Sequence, residues 1–186
     1  ASAVNGRLSN NRKRQIKSSL ASGAVITEPE SDADVKAFYQ LLKNLYAEKV
    51  KKPLPGIELF MQFCKSPFAK TFLVKYEGKV VGGSAGPIYR GQVLYQWYVC
   101  GSNTAIQGLY PSVLATWAPI EYGLKHGYQK FDFMGAGRPG EEYGVREFKA
   151  RFGGDEVCFG RFEMVLNQSL YRVGKLGLKV YQTIRP

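Results

Sequence analysis

Apolar residues at Val35, Phe38, Leu41, Leu42 and Leu45 recur with the spacing of one helix face, and Ser31-Asp32 before them supplies an N-cap. An earlier helix is predicted from Ser9-Asn10-Asn11-Arg12-Lys13-Arg14-Gln15-Ile16-Lys17. It is polar nearly all round, so it is expected to rest on something outside a minimal core. Ser22-Gly23 ends it, and Ala24-Val25-Ile26-Thr27 reads as a short strand. Lys52-Pro53-Leu54-Pro55-Gly56 is a break, followed by a short helix over Glu58–Cys64. Two hairpins come next. Phe72–Tyr76 and Lys79–Gly86 flank the turn Glu77-Gly78, and Ile88-Tyr89 and Val93–Val99 flank Arg90-Gly91. Gly82, Gly83 and Gly86 weaken a strand unless a bulge or a close backbone approach needs them. Pro111 opens a helix to about His126, Lys130–Met134 is a strand, Gly135–Gly137 a loop, and Glu141–Arg151 a helix stopped by Phe152-Gly153-Gly154. Val157–Leu166 reads as a final long strand and Leu170 onward as a basic amphipathic helix. An antiparallel meander followed by helix, strand, helix and strand predicts an α/β (α+β) architecture: a mixed, mostly antiparallel sheet with helices on both faces.

With 186 residues, 45% of them apolar or aromatic, the chain suits one domain with a real core and excludes disorder. No apolar stretch approaches the ~18 residues of a spanning helix. Cys64, Cys100 and Cys158 are odd in number and widely spaced, which argues for a reducing compartment and against a disulfide framework or a thiolate zinc site. The single histidine, His126, cannot build a histidine-rich metal site. It sits in Lys125-His126-Gly127, where a polar or cationic side chain commonly caps the last helix carbonyls. Metalloenzymes and Ser-His-Asp hydrolases are disfavoured, and no metal is expected.

Charge adds a partner to the picture. The net is +11, but no acid precedes Glu28 or follows Glu163. Arg7, Arg12, Lys13, Arg14 and Lys17 lie at one end, Arg172, Lys175, Lys179 and Arg185 at the other, and the remainder carries only +2. Two basic ends on a nearly balanced body point to an anionic partner: RNA phosphates, an anionic membrane surface or a phosphorylated substrate. Basic tails that merely keep the domain in solution are the alternative. The C-terminal helix places Leu170, Val173, Leu176 and Val180 apart from Arg172, Lys175 and Lys179, a pattern of interfacial membrane helices and equally of a helix docking on this or a further domain.

The densest chemistry is Phe131-Asp132-Phe133-Met134-Gly135-Ala136-Gly137 followed by Glu147-Phe148-Lys149-Ala150-Arg151-Phe152-Gly153-Gly154. Apolar neighbours place Asp132 on a strand expected to be interior, where a carboxylate needs a partner. Small residues at 135–137 let a ligand or another backbone approach the strand end. Lys149 and Arg151 lie near a helix C-terminus, which favours cations. Asp132 pairing with Arg151 or Lys149 purely to fix the fold is the alternative.

The element order is that of the Gcn5-related N-acetyltransferase (GNAT) superfold. The FDFxGxG and FKxxFGG segments resemble the FemABX-type transferases. So do Trp117, Pro119 and Ile120 in the helix ending at His126-Gly127, Val81-Gly82-Gly83, and the opening Asn11–Lys17 with Gly23-Ala24. The resemblance runs from about Ser9 to about Met164. Members carry two GNAT-like domains, and this chain resembles the second. Residues 1–23 are then a basic connecting helix from a preceding domain, and residues 24–186 one GNAT-like domain. The resemblance implies transfer of an amino acid from aminoacyl-tRNA onto an amine of a peptidoglycan or other cell-envelope precursor, in the cytoplasm and peripheral to the inner membrane. Lys149 falls on the family lysine beside the tRNA acceptor end and the reacting ester, with Phe148 its companion. Gly135 and Gly137 border the same groove, with Arg138 and Arg151 as further substrate- or tRNA-binding residues.

Aminolysis of an ester makes a tetrahedral oxyanion, and one fixed donor for it is worth roughly 3–4 kcal/mol. Lys149 can supply that charge or bind a terminal ribose or phosphate. Asp132 is the one carboxylate nominated as base, although proton transfer within the substrate needs none. Tyr143, Tyr98 and Gln96 are groove-lining polar candidates. Acetyltransferases cradle the coenzyme A diphosphate with a glycine-rich loop at a helix N-terminus. Here Asn103–Pro111 keeps one glycine and places Leu109 and Tyr110 before the helix, which argues against acetyl-CoA and leaves aminoacyl-tRNA as co-substrate with no cofactor. The alternatives are a CoA-dependent GNAT N-acyltransferase and a non-catalytic RNA- or surface-binding half of a two-domain protein.

Overall fold

The sheet is built around its longest strand. In the computed structural model, which describes residues 2–103, 106–160 and 162–184, β1 (Val25–Thr27), β2 (Ala69–Tyr76) and β3 (Lys79–Tyr89) are antiparallel neighbours. Thr104 and Ala105 of the loop before Pro111, Arg161 of the expected last strand, and Arg185 of the basic end lie outside the described residues. Glu77-Gly78 joins β2 to β3 with φ of 49° and 73°, and Arg90-Gly91 joins β3 to β4 (Val93–Tyr95) with 49° and 64°. Two successive positive φ values match the twist of a two-residue hairpin.

The expected continuous strand 93–99 is broken. β4 pairs with the outer end of β3, whereas β5 (Tyr98–Gly101) pairs with its inner end, Gly82 to Ala85. At the break, Gln96 donates its backbone N–H to Asp132 O at 2.9 Å, on β6 (Lys130–Asp132), which runs parallel to β4. The glycines of β3 explain this geometry. A Cβ on Gly86 would lie 1.8 Å from Tyr95 O, and one on Gly83 would lie 2.8 Å from the Phe38 ring. The backbone of the break therefore occupies the place of a side chain.

Both faces of the sheet are covered. Leu73 and Val74 are consecutive, point to opposite faces, and are both fully buried. On one face, α3 (Asp32–Leu45) and α4 (Ile57–Lys65) bury Val35, Phe38, Leu42, Phe60 and Phe63 against Leu73, Ala85 and Cys100. Each such side chain contributes about 1.5–3 kcal/mol. Ser31 caps α3 through the Asp34 N–H, as its sequence predicts. A π-helical turn, Tyr46–Val50, continues α3 beyond the predicted face and ends at Lys51 with φ 51°. On the other face lies α5 (Pro111–His126), whose middle is buried nearly all round. It touches the sheet on one side and α2 (Asn10–Ala21) on the other. The surface on which the polar α2 rests is thus α5: Ile16 and Ser19 are buried there, in the same cluster region as Leu8, Leu114 and Trp117. His126 closes α5 by its Nδ1 contact to Tyr122 O at 2.9 Å.

Further expectations change. The helix predicted over 141–151 is shorter: α6 spans Gly144–Ala150, because the Glu141 carbonyl is taken by Arg146 and Tyr143 is extended. Asp132 is exposed rather than interior, because β6 ends the strand order. Among the described residues, 157–166 is not a strand. Gly160 turns left-handed (φ 75°), and Val157, Phe159, Phe162, Met164 and Leu166 are exposed. The following helix α7 (Gln168–Ile184) also exposes Leu170, Val173, Leu176 and Val180, so it does not dock on this domain through that face. A short α1 (Ser2–Arg7) precedes α2, and no described helix is long and apolar enough to cross a membrane.

Gly86→Ala should lower the unfolding free energy by about 1–3 kcal/mol, the cost of overpacking a well-packed site, measured by urea denaturation; an unchanged midpoint would contradict the close approach at Tyr95.

Candidate functional site

β6 ends at Asp132, and the chain then has no strand partner until α6 begins. Asp132 closes a turn on itself: its Oδ1 accepts the Met134 N–H at 2.6 Å, and Met134 takes the left-handed conformation (φ 60°). The backbone polar groups beyond need other partners. Two cations of α6, three residues apart and so on one helix face, provide them. Lys149 Nζ donates to Phe133 O and Gly135 O, both at 2.6 Å. Arg146 donates through Nε to Ala136 O at 2.9 Å, through Nη1 to Glu141 O at 2.8 Å, and through Nη2 to Arg138 O. Arg146 also pairs with Glu156 at 3.0 Å. The loop 133–141 is therefore wound around two side chains.

Arg146 was not singled out by sequence, yet it organises the site. The available signal was its i,i+3 spacing from Lys149, which sets both on the face toward the loop.

The ammonium of Lys149 is half-buried, and burial pushes its pKa below the ordinary lysine value while the charge of Asp132 pulls the other way. Because the folded value is depressed, the cost of burying this charge is present at neutral pH. It is relieved as pH rises through the folded value toward the ordinary one. Two of the three ammonium hydrogens have carbonyl partners, and the third has none among the described residues.

The remaining candidates divide. Gly137 (φ 80°) lies under the Tyr143 ring, so closely that a Cβ there would meet Tyr143 Cδ1 at 2.7 Å. Gly135 supplies a carbonyl to Lys149, and Arg138 pairs with Glu141 at 3.5 Å in solvent. Asp132, Gly135, Gly137, Arg138, Tyr143, Phe148 and Lys149 thus share one neighbourhood. Arg151 forms no ion pair with Asp132 among the described residues; it is exposed, and its charge bears on Arg12 of α2. Gln96 is buried at the strand break, with Nε2 donating to Ser84 Oγ at 3.5 Å. Tyr98 packs its ring on Phe60 at 4.9 Å, and burial raises its phenol pKa.

A cleft of about 130 Å³ opens between β5, the first turns of α5 and Phe148. Val99, Cys100, Gly101, Ser112 and Thr116 line it, with Lys49 at its edge. Phe148 forms part of the wall, whereas the adjoining Lys149 ammonium turns to the loop. The Cys100 thiol is pushed up to about 12 by burial. Its reactive thiolate is therefore not populated near neutrality. Among the described residues no group of three or more His, Cys, Asp or Glu could hold a metal ion.

The family model of the acetyltransferase (GNAT) domain matches residues 6–150, and the chain belongs to that family. No curated protein matches it. Among solved structures, FemX is similar with a TM-score of 0.70 at 16% identity, over 92% of this chain and 60% of FemX. The aminoglycoside acetyltransferase meta-AAC0020, from an uncultured soil metagenomic sample, is similar with a TM-score of 0.55 at 16% identity, over 77% of this chain and 97% of that one. The ribosomal-protein-alanine N-acetyltransferase of Brucella melitensis biovar Abortus 2308 is similar with a TM-score of 0.54 at 12% identity, over 77% of this chain and 99% of that one. At these identities the likeness shows the fold, a GNAT-like mixed sheet, and the family makes the chain an acyltransferase by class.

Asp132→Asn should lower the Lys149 pKa further, since it removes the one charge that raises it. Competitive amine labelling of Lys149 across pH reads this directly; a midpoint that rises or stays fixed would contradict the placement.

Proposed function

We propose that this domain is the catalytic part of a FemAB-type N-acyltransferase that moves an aminoacyl group from tRNA to an amine of a peptidoglycan or other cell-envelope precursor. One observation carries the reading. The half-buried ammonium of Lys149, held by the Phe133 and Gly135 carbonyls beside Phe148, keeps one N–H for a ligand. The acceptor nitrogen attacks the ester carbonyl carbon, and the new C–N bond forms as the carbonyl oxygen gains charge. Lys149 stabilises that oxyanion. The ester C–O bond then breaks, and the ribose hydroxyl leaves with the proton the amine gives up. Asp132, exposed and close enough for its charge to reach Lys149, is the candidate to carry that proton. Phe148, Tyr143, Arg138, Arg151 and the 135–137 loop bind around the acceptor end. The cleft is smaller than the ~300–1,000 Å³ of pockets that enclose drug-sized ligands, so it suits an acyl group rather than a whole coenzyme.

The diphosphate cradle of a CoA enzyme is compromised at α5. The Tyr110 N–H is taken by Ser19 Oγ at 2.9 Å, Ser18 Oγ donates to Gly108 O at 2.8 Å, and Pro111 has no N–H. Gly101 also abuts the helix start, since a Cβ there would lie 2.4 Å from Ser112 N. Lys13, Arg14 and Lys17 are exposed on α2 and make no ion pair among the described residues, which suits an RNA partner. The exposed apolar and basic faces of α7 suit contact with a preceding domain or an inner-membrane surface. The second reading is a CoA-dependent N-acyltransferase, favoured by the family model and the acetyltransferase folds.

Lys149→Met should cut single-turnover transfer from aminoacyl-tRNA by about 10²–10³-fold, the loss of one oxyanion donor, and should also lower the melting temperature, because the Phe133 and Gly135 carbonyls lose their donor. Acetyl-CoA should leave that temperature unchanged, whereas stabilisation growing with its concentration would favour the CoA enzyme. Charged-tRNA binding should fall steeply with salt, and binding unmoved by Lys149→Met with no transfer at all would leave only an RNA-binding module.

A further inference from the structure

Arg12 is a costly side chain to keep. It is 4% exposed, yet no carboxylate pairs with it among the described residues, and its Nε is buried without a hydrogen-bond partner. Arg151 brings a second positive charge near it. A buried cation without a counter-ion is destabilising, and apolar residues of similar volume often serve stability as well or better. Packing alone therefore does not account for an arginine here.

Its surroundings show what the guanidinium does. It lies over the Phe148 ring at 4.3 Å and over the Phe152 ring at 5.1 Å, the range of a cation–π contact. Nη2 donates to Phe148 O at 3.5 Å, and Nη1 donates to Gln15 Oε1. The residue that caps the same helix adds a tie, because the Ser9 N–H donates to Arg151 O at 3.0 Å. Each contact falls on the end of α6 and the turn just after it, on residues 148 to 152, and Lys149 lies within that stretch. Phe148 faces the cleft and also carries Arg12. A planar guanidinium can stack on two rings and reach a carbonyl together, which a lysine ammonium cannot do.

We infer that Arg12 is a positioning residue: stacked on Phe148 and Phe152, it fixes the end of α6 so that the Lys149 ammonium stays on the Phe133 and Gly135 carbonyls. The inference rests on the proposed role of Lys149 for its functional meaning, but the geometry it asserts is testable without any substrate.

The readout is the ammonium signal of Lys149 in nitrogen-15 NMR of the intact chain, assigned by its disappearance in Lys149→Arg. Hydrogens held on two carbonyls exchange slowly with water. In Arg12→Met their exchange should quicken by about tenfold or more, the equivalent of losing a hydrogen bond to a charged group, while the urea midpoint stays level or rises. Arg12→Lys keeps the charge and should quicken exchange too, which separates stacking from electrostatics and decides the matter if Arg12→Met does not fold. Unchanged exchange in a folded Arg12→Met, or in Arg12→Lys alone, overturns the inference whatever the activity. Quickened exchange with aminoacyl transfer unaffected upholds the positioning and refutes instead the catalytic part given to Lys149.

Discussion

Five backbone carbonyls between Phe133 and Glu141 have side-chain cations in place of strand partners, and the site exists because Lys149 and Arg146 satisfy them. The Phe133 and Ala136 carbonyls are part-buried and must be paired, while those of Gly135, Arg138 and Glu141 are exposed and add anchorage. Two cations on one face of a seven-residue helix meet that need and anchor the loop to the helix. The same contacts hold a charge where burial opposes it, which leaves Lys149 with a depressed pKa and spare hydrogen-bonding capacity. Structure and candidate chemistry share one set of hydrogen bonds.

The surrounding architecture protects that arrangement from two directions. The break between β4 and β5 hands the Gln96 N–H to Asp132 O and so ties β6 to the sheet just before the loop departs. On the far side, α2 lies against α5 and touches the last turn of α6 through Ser9 and Arg12. The N-terminal helices belong physically to the same core as the sheet, since Leu8, Ile16, Leu114, Trp117 and Phe152 form one cluster.

The start of α5 is tied to α2 by two serines. Ser19 Oγ accepts the Tyr110 N–H, and Ser18 Oγ donates to the Gly108 carbonyl. The helix that packs against α5 thereby takes up one backbone amide at its start and adds the basic surface of Lys13, Arg14 and Lys17. The fold is common to transferases with different donors; the donor is a matter of which polar groups remain free.

Alternation and turn residues were enough to read β2, β3 and both hairpin turns, and 3.6-residue spacing was enough for α3, because these signals are local and the core rewards them directly. The paired FDFxGxG and FKxxFGG segments marked the neighbourhood of Lys149 for the same reason: the glycines and the cation serve a loop close by in the chain. Sequence alone left the rest undecided. Whether Val157–Leu166 forms a strand depends on an available edge, whether Asp132 is interior depends on where β6 lies in the strand order, and neither is encoded in the residues themselves. Arg146 drew no reading and Arg12 counted only as part of the basic N-terminal end, since burial of a guanidinium depends on carbonyls and rings brought from residues 136–141 and 148–152. Local patterning thus determined the elements, and tertiary structure decided which charges left water, because only packing sets the partners that make such burial tolerable.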